Sequence, residues 1–341
     1  MKKSGQLIIG LILAFLAIYY TMRNVSVAEV LDSFRRVHYV YLIPTFLLMC
    51  LTYVARAVRW RALLLPVRRV ETWDLFSPLM VGFMAGILPA RAGELVRAYL
   101  LGKKFQLSFA GSLATIVVER LFDLVLLLLL FVWILIFHGD IFEGNISWAG
   151  ISLRDLAFQF GLFSLAVVMG LVVFIFALTF HNEKAMKLVH WLVRPFPEKW
   201  QYKLIQMTET FSQGLLVFRN VRALAFIGLA TAGVWALIVL QYYPLYWAYG
   251  LQDKSAASLI LLTVMICILI TVLPTPAFLG SFNAGVLIAL HEVMQEAEVA
   301  AVSFGFVAWG VNFAVIIIGG VYFILHDHIS VRKLVEIEEE G

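Results

Sequence analysis

Apolar residues in this chain come in long blocks: Leu7 to Tyr20, Leu121 to Phe137, Leu156 to Phe180, Leu224 to Tyr249 and Val299 to Leu325. Most approach or exceed the ~20 residues that cross a hydrocarbon layer, so the blocks predict transmembrane helices. Lys2 and Lys3 precede the first block as they would in a signal peptide. No small-residue cleavage site follows, and Tyr19, Tyr20 and Arg23 close the block, so it reads as a retained anchor.

Two regions break the pattern. The apolar stretch Leu75 to Leu88 is too short to cross comfortably, ends at Pro89 and is followed by Arg91, Glu94 and Arg97. The stretch from Ala256 stops at Leu273, is broken by Pro274 and Pro276, and resumes near Phe278 with Gly280 just behind. Both regions, about 75–107 and 256–291, predict re-entrant helical hairpins, with two conventional spans in place of each as the alternative. The chain therefore reads as an all-α integral membrane protein, one polytopic domain over 1–341. Six full transmembrane helices are expected near 5–22, 39–58, 116–138, 156–180, 223–249 and 299–326. Span, hairpin, span occurs twice with opposite orientation, which predicts an inverted repeat from topology alone.

Charge orients these elements, because short cytoplasmic loops collect Lys and Arg. Lys2 and Lys3, the basic run from Arg56 to Arg69, Lys103 with Lys104, the connection 182–222, and Arg332 with Lys333 all read as cytoplasmic. Both termini are thus expected inside a plasma or inner membrane. The loop with Asp140, Glu143, Arg154 and Asp155 reads as external; Arg23, Arg35 and Arg36 conflict with the count. Residues 182–222 interleave Trp191, Phe196, Trp200, Tyr202 and Phe211 with Lys and Arg and are split by Pro195 and Pro197. They predict amphipathic helices on the inner leaflet, with a solvated linker as the alternative.

Composition agrees: 62% hydrophobic and 14% charged, with a mean hydropathy of +0.92, excludes an ordinary soluble domain. The net charge of +4 is small and its basic residues flank membrane segments, which suits anionic lipid and not nucleic acid. Cys50 and Cys267 lie inside apolar blocks and read as unpaired small hydrophobes.

Charges inside apolar segments cost roughly 2.5 to 3.5 kcal/mol each and need a partner or a role. In Pro89 to Arg97, the spacing of three puts Arg91, Glu94 and Arg97 on one broad helix side. Glu94 can neutralise one arginine and leave the other for a phosphate head group, or the cluster is a helix end snorkelling to the interface. Glu119, Arg120 and Asp123 open an apolar helix, and their surplus acid can bind a cation, pair with Arg91 or Arg97, or serve a purely structural network. Arg56 and Arg59 read as inner-leaflet anchors in preference to members of that network. Pro274, Thr275, Pro276, Gly280, Ser281 and Asn283 supply freed carbonyls and small polar groups, fitting a turn that lines a cavity. No P-loop, dinucleotide fingerprint, zinc motif or nucleophile elbow is present. No catalytic residue, metal or cofactor is therefore expected, and His326 and His328 read as interfacial anchors.

The stretch Gly86 to Arg97, then Val118-Glu119-Arg120-Leu121-Phe122-Asp123, then Leu273-Pro274-Thr275-Pro276 with Leu279-Gly280, resembles the lysylphosphatidylglycerol synthase transmembrane region, or flippase-like domain family. The resemblance covers nearly the whole chain. It implies moving or presenting modified lipids between leaflets, often aminoacylated phospholipid or polyprenyl-linked sugar. Members that synthesise aminoacyl lipid carry a large soluble catalytic domain; none is visible here, so synthesis is not expected. Ala277 and Asn283 stand where relatives commonly have glycine and an acid. The expected function is a lipid flippase-like transporter acting on a phospholipid or polyprenyl-phosphate-linked substrate. Its site is expected to be Arg91, Glu94, Arg97, Glu119, Arg120, Asp123, Pro274, Thr275, Pro276, Gly280 and Asn283. The alternative is a non-transporting accessory subunit of a lipid-modifying enzyme or glycosyltransferase.

Overall fold

The computed structural model describes residues 3–65, 67–87, 93–138, 147–148, 151–180, 182–195, 197, 200–202, 204–205, 208 and 220–330. Arg91 and Pro89 therefore lie outside the described residues. The described chain is helical apart from a hairpin of two very short strands, Ser147–Trp148 and Ile151–Ser152.

Helix α1 (Lys3–Met22) is followed by α2 (Val27–Arg36) at a 73° bend. A capping box starts α2: Ser26 Oγ accepts from the Glu29 amide at 3.2 Å and the Glu29 carboxylate accepts from the Ser26 amide at 2.8 Å. Arg35 and Arg36 occupy the last turn of α2, where they complement the helix dipole, and Arg36 pairs with Asp32 at 2.6 Å. The local helix thus gives these basic residues a role that a count of loop charges does not see.

Then come α3 (Leu42–Leu64), α4 (Phe76–Ala85), α5 (Gly93–Phe105), α6 (Phe109–Phe137), α7 (Leu153–Phe180) and α8 (Asn182–Val193). The second half holds α9 (Val221–Leu240), α10 (Tyr243–Ala248), α11 (Ala256–Val272), α12 (Ser281–Leu287) with a π-turn over Ile288–Val293, and α13 (Glu298–His326).

Among the described residues, five helices are long and apolar enough to cross a membrane, Tyr39–Leu64, Phe109–Phe137, Val221–Ala248, Pro276–Val293 and Glu298–His326, or six if the bent α1 and α2 pair counts as one. This differs from the expected six spans in two respects: the helix over the expected span 156–180 is not among them, and the return arm of the second interrupted region is itself of spanning length. Two boundaries also move. The second span runs to Leu64, not 58, and the third begins at Phe109, where Ser108 caps it by accepting from the Gly111 amide at 3.1 Å.

Both interrupted regions fold as helix pairs turning back on themselves. Helices α4 and α5, 10 and 13 residues long, reach only about 15 and 20 Å at ~1.5 Å per residue, short of the ~30 Å hydrocarbon core. Glycine allows their close approach. A Cβ on Gly93 would lie 2.4 Å from the Gly82 carbonyl oxygen and 2.8 Å from the Gly86 amide nitrogen. In the second pair a Cβ on Gly285 would lie 2.8 Å from the Ile266 Cα. Because the Gly93 obstacles are backbone atoms, Gly93→Ala is expected to cost about 1 to 3 kcal/mol through overpacking. Thermal unfolding of the purified protein would register it as a lowered midpoint.

Each pair has its own apolar core. Leu79, Val81, Val96, Leu101 and Val118 surround the first, and Leu262, Ile266, Val286, Ala289 and Phe304 the second. The terminal helices clamp them. Gly319 and Gly320 of α13 lie against Met80 and Met84 of α4, and Gly10 of α1 lies against Pro276. The outer surface is apolar, with Phe15 69%, Ile136 68% and Leu229 74% exposed, as hydrocarbon and not water would favour. Helix α8 ends at a turn over Arg194 and Pro195 and leaves Trp191 and Leu192 exposed; residues 209–219 of that connection are outside the described set.

Candidate functional site

Helix α6 positions the centre of the site. Its Glu119 and Asp123, four residues apart on one face, are both buried despite lying well inside an apolar helix. Arg59, near the end of α3 and fully buried, reaches both: Nη2 lies 2.9 Å from Glu119 Oε1 and Nη1 donates to Asp123 Oδ1 at 2.5 Å. Arg97 of α5 grips the opposite side of Glu119, donating to Oε2 at 2.9 Å and to Oε1 at 3.3 Å. Its guanidinium stacks 4.2 Å from the Trp60 ring centroid, and Trp60 is fixed by donating Nε1–H to Thr115 Oγ1 at 3.1 Å.

Arg120 closes the network from the half-exposed side. It donates to Glu119 Oε1 at 2.9 Å and lies 3.4 Å from Asp123 Oδ2 and 3.2 Å from Glu94 Oε1. From α9, Trp235 Nε1 donates to Asp123 Oδ1 at 3.1 Å, and Thr231 Oγ1 accepts from Arg59 at 3.3 Å. Nearly every charge inside the helices therefore has a charged partner, the condition under which such groups are tolerated there.

The spacing-based pairing changes in detail. Glu94 does not neutralise Arg97, from which it is turned away; it serves Arg120. Arg97 is held by Glu119, the cross-site pairing that the surplus acid allowed. Arg59 is no interfacial anchor, since it is 0% exposed and bridges two carboxylates. Sequence reasoning gave no place to Thr231, Trp235, Trp60 or Thr115. The first two offer only a hydroxyl and an indole four apart in the apolar α9, a pairing too ordinary to mark them.

The second tip is built without charge. Thr275 and Ser281 share a hydroxyl hydrogen bond of 2.8 Å. Asn283, fully buried, accepts from the Gly280 amide at 3.1 Å, while its Nδ2 has no hydrogen-bond partner. Ala277 and Phe278 take positive φ of 53° and 58°, and Gly280 takes 88°, the last with Ala14 of α1 so close that a Cβ would meet its carbonyl oxygen at 2.8 Å. Trp309 Nε1 donates to the Ala277 carbonyl at 2.9 Å. The two hairpin tips meet here: the Ala277 amide donates to the Ile87 carbonyl at 2.9 Å.

Among the described residues no three His, Cys, Asp or Glu side chains converge on one point as a metal site would need. Cys50 and Cys267 are free, half-buried thiols. His326 contacts Asp327 at 2.7 Å at the end of α13.

Apolar helices with a buried ion network and paired hairpins define a multi-pass membrane protein. Residues 7–328 match the family described as the lysylphosphatidylglycerol synthase TM region, and the chain belongs to that family. Comparison with curated proteins and with solved structures gave no match.

Proposed function

We propose that this protein is a lipid flippase-like transporter that moves or presents a phospholipid or polyprenyl-phosphate-linked substrate between leaflets, without catalysing a covalent step. The family's membrane setting supports a lipid-related role. The observation that carries the reading is the ion network beside the first hairpin tip. Four arginines, Arg56, Arg59, Arg97 and Arg120, face three carboxylates, Glu94, Glu119 and Asp123, leaving an excess of one positive charge among the described residues. A positive, forked-donor site buried among helices suits a phosphate-bearing head group. In this reading both hairpins are re-entrant from opposite faces, as an inverted repeat, both termini are cytoplasmic, and α8 lies on the inner leaflet. Arg91 joins the head-group site, while the second tip shapes the cavity.

Vesicles carrying the purified protein and a fluorescent phospholipid test this. Transfer of label between leaflets should exceed that of protein-free vesicles at least severalfold. Transfer no faster than in empty vesicles, with no lipid copurifying, would sink the reading, and a stably copurifying glycosyltransferase or lipid synthase would favour an accessory role.

A further inference from the structure

The carboxylates of the network are spoken for. Glu119 is shared by Arg59, Arg97 and Arg120; Asp123 by Arg59, Arg120 and Trp235; Glu94 by Arg120. One guanidinium is left over. Arg56, one turn before Arg59 on α3, is half-buried, and its Nη1 is shut off from solvent with no hydrogen-bond partner. Its nearest supports are aromatic and electrostatic: the guanidinium lies 5.2 Å from the Phe83 ring centroid on α4, and Phe83 is held edge-on by Tyr53 at 5.3 Å. It also feels Asp123, Tyr53, the like charges of Arg59 and Arg120, and the thiol of Cys267 on α11. Arg56 therefore stands between an arm of each hairpin. A buried N–H without an acceptor forfeits a hydrogen bond that an incoming anion would restore.

We propose that Arg56 is a direct phosphate-binding residue, taking the phosphate oxygen of the transported head group on Nη1, with Phe83 holding the guanidinium plane. This rests on the lipid-handling reading and assigns the contact to a residue outside the family-like motifs. The inner ring of Arg59, Arg97 and Glu119 is then the platform that keeps Arg56 without a carboxylate of its own. Arg59, Arg97 and Arg120 each keep only a buried Nε without a hydrogen-bond partner and spend their Nη groups on carboxylates, whereas Arg56 has a terminal Nη free and, among the described residues, no carboxylate ion pair.

The experiment compares wild type, Arg56→Gln and Arg56→Lys purified gently from the same membranes, with retained lipid quantified by mass spectrometry per mole of protein. Arg56→Gln should retain roughly tenfold less phosphate-bearing lipid, the effect expected of one lost charge-assisted hydrogen bond. Arg56→Lys, which keeps charge but not the fork, should fall between the two. Should Arg56→Gln fail to fold, Arg56→Lys decides, and undiminished retention in that folded variant overturns the assignment. A wild type that retains phosphate lipid alongside an equally loaded, folded Arg56→Gln also overturns it while leaving the lipid-handling reading standing. A wild type that retains none overturns both. Washing the wild type with inorganic phosphate separates the sources: lipid stripped by it marks a site for phosphate as such, and lipid that resists marks a head group held together with its acyl chains.

Discussion

Replacing Glu119 with leucine is expected to be the most damaging single change near the site, costing about 3 to 5 kcal/mol because it strands charges that are buried in the native fold. Arg59 and Arg97 are 0% and 2% exposed, and each has Glu119 as a partner at 2.9 Å. Arg59 would keep Asp123, but Arg97 would keep only the ring faces of Trp60 and Phe83 among the described residues. A purified Glu119→Leu protein should therefore melt many degrees lower or fail to remain monodisperse. Adding Arg97→Met to Glu119→Leu should recover part of the loss, since the double variant no longer buries an unpaired guanidinium. A Glu119→Leu protein as stable as wild type would mean that the network is not closed as described.

The second large effect is expected at Gly280. Its φ of 88° with ψ of −55° is glycine territory, and a Cβ would sit 2.8 Å from the Ala14 carbonyl oxygen and 3.0 Å from the Ala17 Cβ. Gly280→Val combines about 1 to 3 kcal/mol of backbone strain with a similar overpacking cost. The damage should be directed: α1 must move away from the tip. A disulfide engineered between α1 and the 276–281 segment should form readily in the native sequence and poorly in the Gly280→Val background. Equal yields in both would show that α1 does not rest on this turn.

Much of this architecture was legible because membrane burial writes itself into apolar run lengths and prolines. The blocks marked the long helices, and Pro274 and Pro276 marked the second turn. Glu94, Arg97, Glu119, Arg120 and Asp123 were legible too, because charges inside apolar stretches stand out. Their pairing was not. Spacing of three along α5 says that Glu94 and Arg97 are neighbours, but the helix turns Arg97 into the core and leaves the Glu94 side chain 53% exposed, so their partners differ. Arg59 was misjudged for a related reason. With a span expected to stop at 58 it would stand at the interface, whereas α3 continues to Leu64 and carries it inside. Trp235 and Thr231 were invisible because an indole and a hydroxyl are ordinary in apolar helices, and only the carboxylate arriving from α6 gives them a task.

The bond between the two tips carries a consequence for what the second one can hold. Over residues 273–280, Pro274 and Pro276 have no amide hydrogen, and every remaining one is already committed: Leu273 to Leu269, Thr275 to Leu273, Ala277 to Ile87, Phe278 to Thr275, Leu279 to Pro276 and Gly280 to Asn283. The backbone of this turn is thus an acceptor-only surface. A phosphate, which itself only accepts, finds no main-chain hydrogen there, whereas a sugar hydroxyl or an ammonium finds carbonyl lone pairs to donate to. The two hairpins thus differ in polarity, with guanidinium groups beside the first and carbonyl acceptors at the turn of the second.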